Sequence, residues 1–182
     1  MYLFVDTETT GVTPSDRIVS ICWSVYDGGG AHLHTTYRVV RPDGFTIPYG
    51  AFAIHGISTE HAQAVGVPLA DALNGFCASV VTHGPRLCVA HNVDFDRPMI
   101  LGEYRRMRLA ENFSLIPTYC TMKRTADVCR IPGRYGHKWP KLDELHRHLF
   151  RAPHTRAHNA EDDVKACAKC FFELKARGFV RE

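Results

Sequence analysis

A short apolar run at the amino terminus ends in two acidic residues that are separated by one position. Residues 2–6 read Tyr-Leu-Phe-Val-Asp, and Thr7 and Glu8 follow. Residues two apart on a β-strand point to the same side, so Asp6 and Glu8 can bind one hard cation together. Acids at the end of an apolar strand are costly to bury unless they are paired or bound to metal. The segment therefore predicts a strand that carries two metal ligands.

A second group of acids lies in the segment 90–96, where a predicted buried strand leads into a helix. The segment contains Asp94 and Asp96. A carboxylate at the start of a helix often caps it, which stabilises the helix by about 1 kcal/mol. We interpret Asp94 as the cap and Asp96 as the acid that points inward, although the periodicity leaves this choice open.

A third group begins with His158 and continues with Glu161, Asp162 and Asp163 at the start of the last predicted helix. The helix dipole favours acids in a first turn whether or not they have a function. The histidine is a different signal, because its ring could face the same cavity as an acid one turn later. A neutral imidazole beside a metal-activated water can serve as a general base at neutral pH.

The hydrophobic pattern predicts strands and helices in a definite order. Strands are expected at 2–6, 17–26, 32–40, 86–90 and 114–121, with the second and third forming a hairpin. Helices are expected at 58–64, 69–81, 94–109, 121–128, 141–150 and 160–177, and a loop at 130–140. An antiparallel meander ahead of β–α alternation implies a mixed sheet flanked by helices. We find no repeat or interior linker, so we expect one domain over 1–182.

The composition excludes several classes of protein. Hydrophobic residues make up 45% and charged residues 23% of the chain, which excludes a disordered protein. The apolar runs are far shorter than the roughly 20 residues of a membrane-spanning helix, and the amino terminus does not resemble a secretory signal. The seven cysteines are an odd number and several lie in apolar stretches. We therefore expect free thiols and a cytoplasmic location, without membrane association.

The charge is unevenly distributed. Residues 1–104 carry 5 Lys/Arg and 10 Asp/Glu, whereas residues 105–182 carry 17 and 9. One interpretation of this asymmetry is a group of carboxylates that binds a metal, beside a basic surface that attracts phosphates. The other is that the two halves simply present differently charged faces to solvent. Residues 123–156 include nine basic residues, with Tyr135 and Trp139 among them. Basic side chains can follow phosphates while aromatic rings stack on bases, but Trp139 could equally anchor its loop on the domain.

Together, the three acidic segments resemble the DEDDh signature of the DnaQ-like 3′–5′ exonucleases, in the RNase H-like superfamily. The matching residues are Phe4-Val5-Asp6-Thr7-Glu8-Thr9-Thr10-Gly11, His91-Asn92-x-x-Phe95-Asp96, and His158 with Asp163 five positions later. Weaker similarities are Ile54-His55-Gly56-Ile57 and Cys120-Thr121-Met122. The resemblance covers nearly the whole chain. It implies an RNase H-like α/β fold, a mixed five-stranded sheet flanked by helices on both faces, and a single DnaQ-like exonuclease domain over 1–182.

The resemblance also implies an activity. It is the hydrolysis of phosphodiester bonds from the 3′ end of DNA or RNA, with single-stranded ends preferred and nucleoside 5′-monophosphates released. Asp6 would bridge two Mg²⁺ or Mn²⁺ ions, Glu8 and Asp163 would complete one ion, and Asp96 would hold the other. His158 would accept a proton from the attacking water.

The resemblance decides between the neighbouring acids and suggests contacts to the substrate. The family's acids correspond to Asp96 and Asp163, which leaves Asp94 as a cap or surface residue and Asp162 as an acid favoured by the helix dipole. The residues implied to contact the terminal nucleotide are Thr9, Ile54, His55 and Asn92. Among these, Ile54 or its neighbours would separate the last two bases, and Asn92 would lie near the terminal sugar or support Asp96.

Two alternatives remain open from the sequence. One is a catalytically silent DnaQ-like subunit of a polymerase or other nucleic-acid complex. Family members of that kind carry a carboxy-terminal extension, which is not expected here, so polymerase tethering is not indicated. A homodimer is compatible with the family, although no interface stripe is evident.

The other alternative is a zinc-stabilised nucleic-acid-binding module. Its ligands would come from His154-x₃-His158 and Cys167-x₂-Cys170. Cys167 lies roughly 13 Å along a predicted helix, so that helix would have to fold back, and the acids Asp6, Glu8 and Asp96 would have no role.

Overall fold

The first 39 residues of the protein form a three-stranded antiparallel meander. The computed structural model describes residues 1–154 and 159–180. The strands are β1 (Tyr2–Thr9), β2 (Ile18–Tyr26) and β3 (His32–Val39). Strand β2 pairs antiparallel with both β1 and β3, as the alternation of the sequence predicted.

Two later strands complete the sheet on the other side of β1. They are β4 (Leu87–Ala90) and β5 (Thr118–Cys120). Strand β4 runs parallel to β1 and β5 runs parallel to β4, which gives the order β3-β2-β1-β4-β5. The predicted mixed five-stranded sheet is therefore confirmed, and β1 is its central strand.

The helices fill the connections and the carboxy-terminal part. They are α1 (Tyr49–His55), α2 (Thr59–Val65), α3 (Leu69–His83), α4 (Val93–Met107), α5 (Thr121–Arg124), α6 (Ala126–Cys129), α7 (Leu142–Phe150) and α8 (Ala160–Ala176). No helix in the described part of the chain combines the length and the apolar character needed to cross a bilayer.

The two faces of the sheet are covered by different helices. Alternate residues of β1 point to opposite faces, so Leu3 and Val5 pack in one core with residues of α3 and α4. Tyr2 and Phe4 pack on the opposite face with residues of α8, including Phe171. Helices thus lie on both faces of the sheet, as expected, and the two cores fix which way the later residues of β1 point.

The structure corrects the predicted elements in four places, the first being the strand expected at 114–121, which is confined to Thr118–Cys120 and preceded by a 3₁₀ helix at Phe113–Leu115. Helix α1 was not predicted, because its apolar residues Tyr49, Phe52 and Ile54 are exposed and give no buried stripe. The helix predicted at 121–128 is interrupted at Thr125, where φ is −117° and ψ is 9°. The segment predicted as a loop at 130–140 contains a small hairpin of β6 (Pro132–Gly133) and β7 (Gly136–His137).

Candidate active site

The central strand β1 extends beyond its parallel neighbour and opens a crevice at its carboxyl end. Strand β1 pairs with β4 from Tyr2 to Phe4, whereas it pairs with β2 as far as Thr9. The second half of β1 is therefore paired with β2 on one side, while its pairing with β4 on the other side has ended at Phe4. The carboxyl ends of parallel strands are where open α/β sheets bind their ligands, so this crevice is the expected place for a site.

Three acids meet on the face of the sheet that is covered by α8. Because Tyr2 and Phe4 point to this face, the alternation of the strand places Asp6 and Glu8 on it as well. Asp163 lies in the first turn of α8. One carboxylate oxygen from each of Asp6, Glu8 and Asp163 can be chosen so that all three lie within 4.8 Å of one another. The structure thus brings together three of the acids that the sequence analysis named as metal ligands.

The start of α8 is fixed by its own cap, which sets the direction of Asp163. The side-chain oxygen of Asn159 accepts hydrogen bonds from the backbone N–H groups of Glu161 and Asp162. Such a cap satisfies N–H groups that have no partner inside the helix. The first turn of α8 is thereby positioned beside β1.

The fourth acid reaches the crevice from the other face of the sheet. Asp96 lies in the first turn of α4 and is only 2% exposed. Its Oδ1 atom accepts hydrogen bonds from the backbone N–H and the hydroxyl of Thr7, both at 2.9 Å. Thr7 points away from Asp6 and Glu8 because it occupies the position between them. It thus connects the fourth acid to the strand that carries the first two, a role that the sequence analysis did not identify.

The neighbouring acid Asp94 lies on the surface and does not cap α4. Helix α4 begins at Val93, and its N-cap residue is Asn92, which has a left-handed backbone with φ of 86°. Asp94 therefore lies inside the first turn, where its 58% exposed side chain pairs with Lys123. Of the two roles predicted for Asp94, helix cap or surface residue, the structure shows the surface one, and Asp96 is the acid that points inward.

The acids are electrostatically unfavourable without a cation. Burial raises the pKa of Asp6 well above its ordinary value, and the charges of Asp96, Asp163 and Glu8 raise it further. The pKa of Glu8 rises to about 7, mainly through burial and then through Asp163 and Asp96. Burial also raises the pKa of Asp96 to about 7, although its hydrogen bonds from Thr7 oppose the change. The donor set consists of carboxylate oxygens, which are the ligands that Mg²⁺ and Mn²⁺ prefer. These residues therefore fit divalent cations.

A histidine that was not predicted to belong to the acid cluster contacts it directly. The Nε2 atom of His154 lies 2.7 Å from Oδ1 of Asp163, and its side chain is nearly buried. The backbone N–H of His154 donates a hydrogen bond to Asp143 of α7 at 2.9 Å. His158, the histidine of the predicted signature, lies outside the described residues.

The residues expected to contact the substrate lie around the end of β1. The hydroxyl of Thr9 donates to the carbonyl of Gly11 at 2.6 Å, and the ring of His55 lies beside the backbone of Thr9. Burial lowers the pKa of His55, which keeps its ring neutral. Ile54 is 60% exposed at the end of α1. Asn92 gives no hydrogen bond to Asp96, whose described partner is Thr7.

The cysteines of the zinc alternative do not form a site with one another. Cys167 packs in the core between β1 and α8, where its sulfur lies 3.7 Å from the hydroxyl of Thr121. Cys170 packs in a separate core with α7. Within residues 1–154 and 159–180, the group of His, Cys, Asp and Glu side chains that could hold a metal ion is Asp6, Glu8 and Asp163. The two cysteines are therefore core residues.

The strand order and the converging carboxylates define a nuclease fold of the RNase H-like class. The model of the exonuclease family named RNase_T matches residues 3–171. The protein belongs to this family of exonucleases, which hydrolyse phosphodiester bonds. The uncharacterized exonuclease CP81 of Escherichia phage 186 is 31% identical over 169 residues, which cover 90% of this chain and 82% of that protein.

Solved structures of exonuclease I share the fold. One superposes with a TM-score of 0.82 at 21% identity, over 98% of this chain and 42% of that chain. Escherichia coli exonuclease I in complex with a dA16 oligonucleotide gives a TM-score of 0.78 at 22% identity, over 97% and 41%. The protein therefore spans about two fifths of the length of these relatives.

Proposed function

We propose that this protein is a metal-dependent exonuclease that releases nucleoside 5′-monophosphates from the 3′ end of single-stranded nucleic acid. The observation that carries the proposal is the approach of Asp6, Glu8 and Asp163 to within 4.8 Å, beside the buried Asp96. Acids so close repel one another unless protons or cations neutralise them. Pairs of divalent cations held in this way are a common means of hydrolysing phosphodiester bonds.

The four acids can be divided between two cations. Asp6 lies near all three other acids and would be shared by two cations, as the family resemblance implies. Glu8 and Asp163 would complete one ion, and Asp96 would contribute to the other. When bound, the cations would neutralise the charge that develops on the phosphate oxygens and would lower the pKa of the attacking water.

The protein's own residues orient these ligands and move the proton. Thr7 holds Asp96 by two hydrogen bonds, and His154 contacts Asp163. His158, five residues before Asp163, would accept a proton from the attacking water, as the family signature implies. A neutral imidazole suits this role near neutral pH.

The substrate end would lie against the tip of β1 and helix α1. Thr9, His55 and the exposed Ile54 lie together there and would hold the terminal nucleotide, with Asn92 near the sugar. Solved structures of exonuclease I contain dA16 and dT13 oligonucleotides. Single-stranded DNA is therefore the first substrate to test, with RNA and duplex ends compared in parallel.

The decisive experiment is degradation of a 20-nucleotide single strand labelled at its 5′ end. With Mg²⁺ or Mn²⁺ we expect a ladder of products that shortens from the 3′ end, and EDTA should abolish it. Asp6→Asn should be inactive, whereas Asp162→Asn, which changes an acid outside the cluster, should remain active. Cleavage that is unchanged in EDTA, or that starts at the 5′ end, would contradict the proposal. Binding without cleavage under all conditions would instead favour the catalytically silent alternative.

A further inference from the structure

A cleft of about 440 Å³ adjoins the acid cluster at the ends of β4 and β5, where His91 and Met122 line it. One end is lined by Asp6 and Asp163, and apolar residues form its wall. The apolar and aromatic lining residues are Met122, Trp139, Pro140 and Leu142. The volume lies within the range of about 300–1,000 Å³ that is usual for small-ligand sites. A cleft that joins acids to an apolar wall suits a ligand with a phosphate at one end and a planar apolar group at the other.

The wall of the cleft is held in place by a buried histidine. His91, at the end of β4, places Nε2 3.0 Å from the carbonyl of Pro140 and Nδ1 2.9 Å from the hydroxyl of Thr121. Burial lowers the pKa of His91 to about 4, so the ring is neutral at physiological pH. Since a carbonyl only accepts, Nε2 carries the proton and donates to Pro140. This bond ties the residue next to Trp139 to the central sheet.

Trp139 is unusually exposed for a tryptophan in a folded domain. Its side chain is 55% exposed, whereas Trp23, the other tryptophan of the sequence, is 2% exposed. The ammonium group of Lys123 lies 5.2 Å from the centre of the Trp139 ring. Lys141 also lines the cleft, and the one acid of the wall outside the cluster, Asp143, pairs with Arg147 at 2.7 Å. The cleft thus offers an aromatic face with positive charge beside it.

We propose that this cleft, which we name the Trp139 cleft, binds a nucleobase of the single strand on the 5′ side of the bond that is cut. The inference rests on the proposed function, because the phosphodiester bond must lie at the acids. With the terminal nucleotide at Thr9 and His55, and Ile54 between it and the next base, the strand on the 5′ side of the cut bond leads past Asp163 into the cleft. Trp139 stacks on the base, and Lys141 attracts the phosphates, whereas Lys123 is paired with Asp94. A free phosphate does not fit an apolar wall.

The test compares two substrates that differ in the bases they carry. A ten-residue oligothymidylate fills the cleft, whereas the same strand with abasic residues at every position except the 3′-terminal thymidine keeps the phosphates but has no upstream base. Stacking on an aromatic residue changes affinity by about 5–150-fold per base. We expect Trp139→Ala to lower kcat/KM for the oligothymidylate relative to the abasic strand by this factor, through KM, and Trp139→Phe to restore most of it.

Phe179→Ala is the matched control. Phe179 is 51% exposed, close to the exposure of Trp139, but it follows α8 and lies roughly 20 Å along that helix from Asp163. We expect Phe179→Ala to keep the wild-type ratio of kcat/KM between the two substrates. If Trp139→Ala also keeps that ratio within twofold while the unaltered protein cleaves both substrates, the cleft proposal is wrong and the proposed function stands.

A binding measurement decides the question without catalysis. In EDTA, where no hydrolysis is expected, stacking of a base on Trp139 should quench the exposed part of the tryptophan fluorescence. Titration with oligothymidylate should therefore quench the unaltered protein but not Trp139→Phe, which retains only the buried Trp23. Binding detected by fluorescence anisotropy of a labelled oligonucleotide without any quenching would overturn the proposal. If the unaltered protein cleaves neither substrate, the proposed function fails, and the quenching still tests the cleft.

Discussion

His154 contacts Asp163 through its Nε2 atom at 2.7 Å, so the last acid of the cluster is held by a histidine four residues before the one in the family signature. The same residue is fixed by its backbone to Asp143 of α7. His154 therefore joins α7 to the start of α8 at the edge of the site. Outer partners of this kind orient metal ligands, and their loss commonly costs about 10–100-fold in metal affinity or activity.

The two histidines should have separable effects. His154→Ala should raise the Mn²⁺ concentration that gives half-maximal activity by about 10–100-fold, with kcat largely recovered at saturating metal. His158→Ala should lower kcat by about 10²–10⁴-fold, the range of a general base, and leave metal affinity unchanged. Two metal titrations test these predictions, one that measures metal binding by calorimetry and one that measures activity. The reverse result, with metal affinity lost in His158→Ala and kcat lost in His154→Ala, would assign the base to His154.

The sequence predicted the sheet from local patterns, whereas the grouping of the acids into one site came from the family resemblance. The alternation of β1 sets the side on which Asp6 and Glu8 lie, and the cap at Asn159 sets the first turn of α8. The sequence did not predict the contacts that hold the acids. Thr7 and His154 meet Asp96 and Asp163 only through the packing of α4 and α8 on the sheet, which no local pattern encodes.

The failed predictions have a similar origin. Asp94 was assigned as the cap because acids are favoured at helix starts, but Asn92 takes the left-handed turn that begins α4 one residue earlier than predicted. Helix α1 was missed because Ala51 is its single buried residue. A helix that buries so little leaves no periodic signal, and its position next to Thr9 depends on tertiary structure.

Neighbouring acids should differ sharply in their effect on activity. Asp96→Asn should lower kcat on the order of 10²-fold or more, the scale observed when one preorganised electrostatic group is removed. Asp94→Asn should stay near the wild-type value, because Asp94 lies on the surface with Lys123. The same contrast is expected between Asp163→Asn and Asp162→Asn. Single-turnover rates on one substrate provide the measurement. An inactive Asp94→Asn would show that the second acidic segment of the signature has been assigned to the wrong residue.

The hydroxyl of Thr7 should matter through Asp96 and not through the substrate. Thr7→Val keeps the shape of the side chain and the backbone hydrogen bond but removes the hydroxyl donor. We expect a loss of about 10–100-fold in activity or metal affinity. Thr7→Ser restores the hydroxyl and should recover most of the activity. If Val and Ser variants are equally active, the backbone N–H of residue 7 alone suffices to orient Asp96.

Metal binding should reverse a loss of stability that the acids cause as the pH rises. Glu8 and Asp96 have folded-state pKa values of about 7, above those of the unfolded chain, so they stabilise the fold at low pH and lose this effect as pH rises through about 7. The buried His91 acts in the opposite sense between its folded pKa of about 4 and the unfolded value of about 6.5, so most of its effect lies below pH 6.5. The interval from pH 6.5 to 8 therefore reports mainly on the acids.

In EDTA, the Tm should fall between pH 6.5 and pH 8 by a few degrees. A group with a folded pKa near 7 loses about 1 kcal/mol of stabilisation over this interval, and about 2–4 °C corresponds to each kcal/mol in a domain of this size. Mg²⁺ at about 100 times its Kd should raise the free energy of unfolding by about 2.7 kcal/mol. At a fixed Mg²⁺ concentration the stabilisation should be larger at pH 8 than at pH 6.5, because protons no longer compete for the carboxylates at pH 8. Glu8→Gln should flatten the pH dependence in EDTA, whereas Asp162→Asn should leave it unchanged. Calorimetric scans at the two pH values provide the test, and a Tm that rises with pH in the metal-free protein would show that the acids are not buried together.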